Sequence, residues 1–189
     1  HHPDFLIQHP ELLAQLELHQ QAQGATSLVH IQQRQLREHN TLLKNQITSM
    51  SKHAAQNEQV YRLFSLCHQQ LYTNNDFDAL ASNLQNIICS NPDISECRLV
   101  KYDTQYAQLV EHRLSNSGHY LGRINQQEQD LLFSDTAQST AIYLIGDIKK
   151  PIAILAFASN NANHFEPAQD TLFVLDFVLA LQSRLLELA

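Results

Sequence analysis

Eleven histidines in a chain of 189 residues make metal binding or proton transfer the first chemistry to look for. Their spacing does not support it. None forms HxxxH, HExxH or a Cys/His knuckle, the patterns that bring several ligands onto one ion. His39 and His53 share one stripe of a helical pattern two heptads apart, which is about 21 Å along a helix axis. They cannot share an ion within one helix. Across two copies each could face its counterpart, but a solvated histidine is the plainer reading. GxGxxG, the P-loop and GxSxG are absent, and Gly24, Gly118, Gly122 and Gly146 read as connectors. Carboxylates such as Asp103, Glu111 and Asp135 are scattered. Cys67, Cys89 and Cys97 are an odd set without CxxC, a poor disulfide framework and a poor zinc site. Cys67 and Cys89 lie in apolar-periodic segments and read as buried, reduced thiols. The expectation is a protein with no catalysis of its own, and no cofactor is indicated.

The partners are bounded by charge. A formal net charge of −7 and a pI near 5.8 argue against nucleic acid, which requires clustered Lys and Arg. Lys149-Lys150 is the one adjacent basic pair. No apolar run approaches the roughly 20 residues of a membrane span, and nothing resembles a signal peptide. A cytoplasmic protein that binds no membrane is expected.

The elements follow from hydrophobic periodicity. Residues 1–26 hold two short pieces opened by Pro3 and Pro10, each with a greasy side that must dock on something, followed by a connector. Residues 27–72 then run without Gly or Pro. With Val29 as heptad position a, the series is Val29, Leu36, Leu43, Met50, Asn57, Phe64 and Leu71. The d series is polar early and apolar late, reaching Val60 and Cys67. This predicts a long stalk helix of roughly 70 Å if continuous. Its stripe calls for a second copy of the chain. Asn57 either fixes the register of such a pair or bonds the chain's own globular part. Tyr61 and Phe64 read as core against the terminal helix.

Residues 73–189 read as one α+β domain. Asp76 caps a helix carrying Leu80, Leu84, Ile87 and Ile88. Strands are expected at 97–103 and 107–114, with loop or turn at 115–122. A short helix over 125–133 has Asn125 and Glu128 in a capping-box arrangement. Two apolar strands, 139–146 and 150–159, join through "DIKK" as a hairpin. Pro151 lacks an N–H, so the last strand is expected to start at or after Ile152. The terminal segment 165–188 reads as a helix with Pro167 in its first turn and Leu172, Leu175, Leu179 and Leu186 on its apolar side. Helices are expected to cover one side of an antiparallel sheet.

The hairpin, then "SNNANHFEPAQ", then a terminal helix resembles the end of a GAF domain, with Ser159, Phe165 and Pro167 at the matching positions. The front half narrows the resemblance. His2-Pro3-Asp4-Phe5, His9-Pro10-Glu11-Leu12-Leu13, Ser27-Leu28-Val29, Leu36-Arg37 and Asn57-Glu58 resemble the bacterial DUF484 family, a GAF-like group without an assigned activity. The resemblance implies a GAF-like sheet preceded by a stalk, a homodimer, and a sensory or regulatory role read by an effector protein. It also implies a small-molecule pocket between the sheet and the loops of 102–123 and 125–138. Tyr102, His112, Arg113, His119, Tyr120 and Arg123 would supply its polar and aromatic groups. In the alternative the pocket is filled by its own side chains and the protein is an interaction scaffold.

Overall fold

The structure is a computed structural model that describes residues 28–167 and 171–188, without the side chains of residues 28–31. The two proline-punctuated pieces of residues 1–26 and the side chain of Val29 lie outside the described residues. Two compact units divide the chain, His1–Lys52 and His53–Ala189.

Helix α1, Leu28–Leu71, carries residues of both units. Within the first, the a-series residues are exposed: Leu36 by 62%, Leu43 by 44% and Met50 by 71%. Within the second the same series enters a core. Phe64 is only 6% exposed and Leu71 is fully buried, as is Cys67 of the d series. Val60 is partly buried against that core, and Asn57 is exposed. The expected dimer stripe therefore divides: Phe64 is already covered by its own chain, against Phe157 and Phe177.

The second unit is a four-stranded antiparallel sheet in the order β1-β4-β3-β2. Helix α2, Phe77–Ile88, starts at Asp76, whose carboxylate accepts from the Ala79 N–H at 3.1 Å. β1 is Glu96–Lys101. A continuous helical segment, α3, follows over 104–114: a 3₁₀ turn Thr104–Tyr106, an α turn Ala107–Leu109 and a π turn Val110–Leu114. β2 is His119–Gly122, α4 is Gln126–Leu132, β3 is Ser139–Asp147, β4 is Lys150–Ser159 and α5 is Leu172–Leu188.

Three sequence expectations are corrected here. The second strand lies at 119–122, inside the segment expected to be a turn, and 107–114 is helical. Tyr106, Leu109, Val110 and Leu114 are buried on one side of it, the i, i+3, i+4, i+8 spacing of a helix rather than the alternation of a strand. β4 begins at Lys150, with Pro151 opposite Gly146. The register shifts after Ile145, so Ile152 is an extra residue on β4, and a bulge is where a strand tolerates proline. Gly146 sits there at φ 102°, and a Cβ would stand 2.9 Å from the Lys150 carbonyl oxygen. On α5 the leucine stripe faces outward: Leu172, Leu179 and Leu186 are exposed, while Phe177, Val178, Leu181 and Leu185 are buried. Pro167 lies outside that helix.

A fourth correction concerns the layers. Because side chains alternate along a strand, each strand feeds two cores. On one face, here the helix face, Leu99, Ala141, Tyr143, Leu155 and Phe157 pack with Phe64, Leu84 and Phe177 from α1, α2 and α5. On the far face, Ile142, Leu144, Ile154 and Ala156 pack with Leu109, Leu114 and Leu132 from α3 and α4. Helical elements thus cover both faces instead of one. Arg184 of α5 ties the helix face together: its Nε donates to the Leu71 carbonyl at 2.8 Å and its Nη2 to the Asn74 carbonyl at 2.9 Å. A cation at a helix C-terminus also complements the helix dipole.

Candidate functional site

The far face is where a ligand was expected, and there the predicted residues bind one another. Arg113, on α3, forms a two-pronged pair with Glu128 of α4: Nε to Oε1 and Nη2 to Oε2, each 3.0 Å. Glu128 is held from its other side by the capping box, accepting from the Asn125 N–H at 3.0 Å while its own N–H donates to Asn125 Oδ1 at 2.8 Å. Burial alone would raise the Glu128 pKa. The Arg113 hydrogen bonds and the Asn125 N–H outweigh burial, so the net shift is downward. Tyr120 lies beneath the Arg113 guanidinium at 5.0 Å, accepts from its Nη1 at 3.4 Å and donates to the Arg123 carbonyl at 2.6 Å. Below this clip the space is filled by Tyr106, Leu109, Val110, Leu114, Ile124 and Phe133. Tyr102 packs half-buried on the same cluster, and its N–H donates to the Ile152 carbonyl at 2.9 Å. His112 and Arg123 are exposed.

His119 belongs to the other face. It pairs with Tyr143 across β2 and β3, and the two rings stack at 6.0 Å. Beside this edge strand runs a groove of about 550 Å³ between Ser117–Arg123 and the 162–167 loop. It gathers His119, Tyr120 and Arg123 of the six predicted residues, together with Leu121, Phe165 and Glu166.

Leu121 and Phe165 also line a second space that sequence reasoning missed, a partly open cavity of about 140 Å³ on the helix face. Phe64, Phe157, Phe173 and Val174 form much of its wall, and Asn57, Tyr143, His164 and Thr171 add polar groups. Tyr143 is 2% exposed, and among the described residues its hydroxyl has no hydrogen-bond partner. Burial raises its pKa and keeps it protonated. Burial likewise lowers the His164 pKa, against an opposing pull from Asp93, which favours the neutral ring. The one signal in the sequence was the "NANHF" loop itself. That loop is fastened by two buried serines: Ser139 Oγ donates to the Asn161 carbonyl at 2.6 Å, and Ser159 Oγ accepts from the Asn161 N–H at 3.1 Å.

Among the described residues no cluster of metal-ligating side chains accompanies these spaces: no three His, Cys, Asp or Glu side chains are placed to hold a metal ion. The cysteines are free thiols. Burial pushes Cys67 up to about 12 and Cys97 well above its ordinary value, which leaves little thiolate for nucleophilic chemistry. Among the described residues no helix is long and apolar enough to cross a membrane.

Residues 1–187 match the family described as "Protein of unknown function, DUF484". The chain belongs to the DUF484 family. A relative in Salmonella typhimurium strain LT2, YigA, is 23% identical over 201 residues, covering 96% of this chain and 85% of YigA. That protein is itself described as uncharacterized. Family membership thus adds no assigned reaction to this DUF484 chain, and its chemistry has to be argued from its own residues.

Proposed function

We propose that this chain is a non-catalytic, GAF-like regulatory module that forms a homodimer through α1 and responds to a small molecule. The observation that carries the reading is the apolar stripe Leu36, Leu43 and Met50, recurring every seven residues and exposed along its length. Leu42 and Ile47 widen it. Such a stripe is covered best by a helix of the same pattern, and a second copy supplies one by symmetry. The GAF-like assignment draws support from the first and last helices, which pack on one face of an antiparallel sheet with Phe64 and Phe177 5.4 Å apart. A protein effector that senses the pairing of α1, in the cytoplasm, completes the reading. Nucleic acid and membrane are not among the partners proposed.

Light scattering on the purified chain at micromolar concentration tests it. The expected mass is twice 21.6 kDa, falling to one copy in L36D/L43D/M50D with an unchanged circular dichroism spectrum of the body. A wild-type mass of one copy overturns the dimer. The filled far face favours a second reading, a ligand-free interaction scaffold. Native mass spectrometry separates the two: a retained small molecule supports the regulatory module, and a bare chain that still captures a protein partner supports the scaffold.

A further inference from the structure

We propose that the outer side of α1 docks an acidic segment of a protein partner, along a ridge formed by Arg34, Arg37, Thr41, Lys44, Thr48 and Lys52. The effector of the regulatory reading thereby gains a chemical class, and the assignment rests on that reading for the dimer that covers the apolar stripe.

The ridge follows from spacing. Its six residues recur at intervals of three and four, the period of one helix face. All six are exposed. In the heptad that starts at Val29 they occupy positions b, c and f, away from the a and d seam. Positions e and g from Gln33 to Ser49 carry no charge, although ion pairs at those positions set partner choice in coiled coils. The charge of this segment is therefore not spent on pairing two copies. It lies on the side that faces away from the seam.

One sign dominates there. Residues 28–52 hold four of the chain's twelve basic residues and one of its nineteen acidic ones, a net +3 within a chain of −7. A face that serves solubility alone mixes both signs. The one carboxylate, Glu38, meets Arg34 at 3.8 Å with the side chains 69% and 73% exposed, a surface pair of little strength. The threonines shape the ridge. Thr41 Oγ1 donates to the Arg37 carbonyl and Thr48 Oγ1 to the Lys44 carbonyl, each at 2.9 Å. Both hydroxyls are turned back onto the helix, and each short side chain leaves a low step between long cations where a carboxylate can approach.

Length and charge density select the partner. Arg34 to Lys52 spans about 27 Å at 1.5 Å per residue. Duplex DNA presents about sixteen phosphates over that length, a density that four cations do not match. An interfacial helix inserts its apolar side into lipid, and in the dimer that side is covered. A short segment with carboxylates about one to two helical turns apart fits the spacing of the cations.

Fluorescence anisotropy of the full chain with a fluorescein-labelled peptide of repeated glutamate-alanine-alanine-alanine units, as long as the ridge, tests the assignment. A gel shift with duplex DNA and co-sedimentation with phosphatidylserine vesicles, in the same buffer, are the competing arms. The peptide should bind saturably, and Lys44→Gln should weaken it about threefold, the worth of one exposed ion pair. R34Q/R37Q/K44Q/K52Q should abolish binding with the mass and the circular dichroism spectrum unchanged, glutamine being a good helix former. Absence of saturable peptide binding to the unsubstituted chain overturns the proposal. So does binding that survives the quadruple substitution, or tighter binding of the duplex or of the vesicles than of the peptide. Failure of the ridge reads out in anisotropy and failure of the dimer in mass: a single copy that binds the peptide through these four cations keeps the ridge, and a dimer that ignores the peptide loses it while keeping the stripe.

Discussion

On the far face of the sheet Arg113 and Glu128 grip each other across α3 and α4, and Tyr120 and Asn125 complete the network. On the helix face Phe64, Phe157, Phe165 and Phe173 line a cavity, and the Tyr143 hydroxyl has no partner among the described residues. Both faces are packed with apolar side chains of similar kind. The difference lies in how each face is closed, by a paired polar network on one and by aromatic walls around unfilled space on the other. A satisfied network is a structural clip, whereas unfilled space between aromatic walls leaves room for a guest.

The largest test of this contrast is one in which the faces should behave alike. Phe177→Ala on the helix face and Leu114→Ala on the far face each remove a fully buried side chain. Each should cost about 2–5 kcal/mol in urea unfolding, with Phe177→Ala toward the upper end. A cost below about 1 kcal/mol for either would mean that its face is not a packed core.

Next in size is Glu128→Ala. It strands Arg113, whose side chain is 29% exposed, and removes half of a capping box. A loss of about 2 kcal/mol is expected, below the cost of breaking a deeply buried pair because the arginine retains contact with water. Adding Arg113→Ala to that variant should cost little more, and a double-mutant cycle with no coupling would dissolve the clip.

The faces should also part in their response to acid. Folding lowers the Glu128 pKa from its ordinary 4.5. Its contribution is therefore complete above that value and is lost as pH falls through the lower folded value. His164 is lowered from 6.5, so its contribution is complete above 6.5 and starts to fail earlier on acidification. Urea midpoints measured between pH 7 and pH 3 should lose the early limb in His164→Gln and the late limb in Glu128→Gln. Exchange of the two limbs would reverse the assignment.

The smallest expected effect is the most discriminating. Tyr143→Phe removes a hydroxyl that bonds nothing among the described residues, so stability should shift by no more than about 0.5 kcal/mol in either direction. A loss above about 1 kcal/mol would show that the hydroxyl already has a partner and would erase the contrast between the faces.

Several features were legible because their causes lie within a few residues of one another. Asp76 reads as a cap and is one. Asn125 and Glu128, three apart, form the capping box their types announce. The two apolar runs around "DIKK" pair from Ser139 with Ser159 to Asp147 with Lys150. Phe64, read as core against the terminal helix, meets Phe177 there, whereas Tyr61, read the same way, touches Phe173 but stays 58% exposed. Even the segment 107–114 carried a helical spacing, through Tyr106, Leu109, Val110 and Leu114, although a short segment of mixed apolar and polar residues is readily taken for a strand.

Other features had no local cause. Leu172, Leu179 and Leu186 are as greasy as Phe177 and Leu181, and which set is buried was settled by the ridge α1 presents to α5. Arg113 and Glu128 stand fifteen residues apart and meet because α3 and α4 cover the same face. Sequence alone determined the long helical period of α1, the caps and the hairpin, since propensity, periodicity and turn chemistry act over one or two turns of chain. Tertiary structure decided which apolar face is buried, which charged groups cancel and where a cavity remains, because burial and packing depend on residues that only the fold brings together.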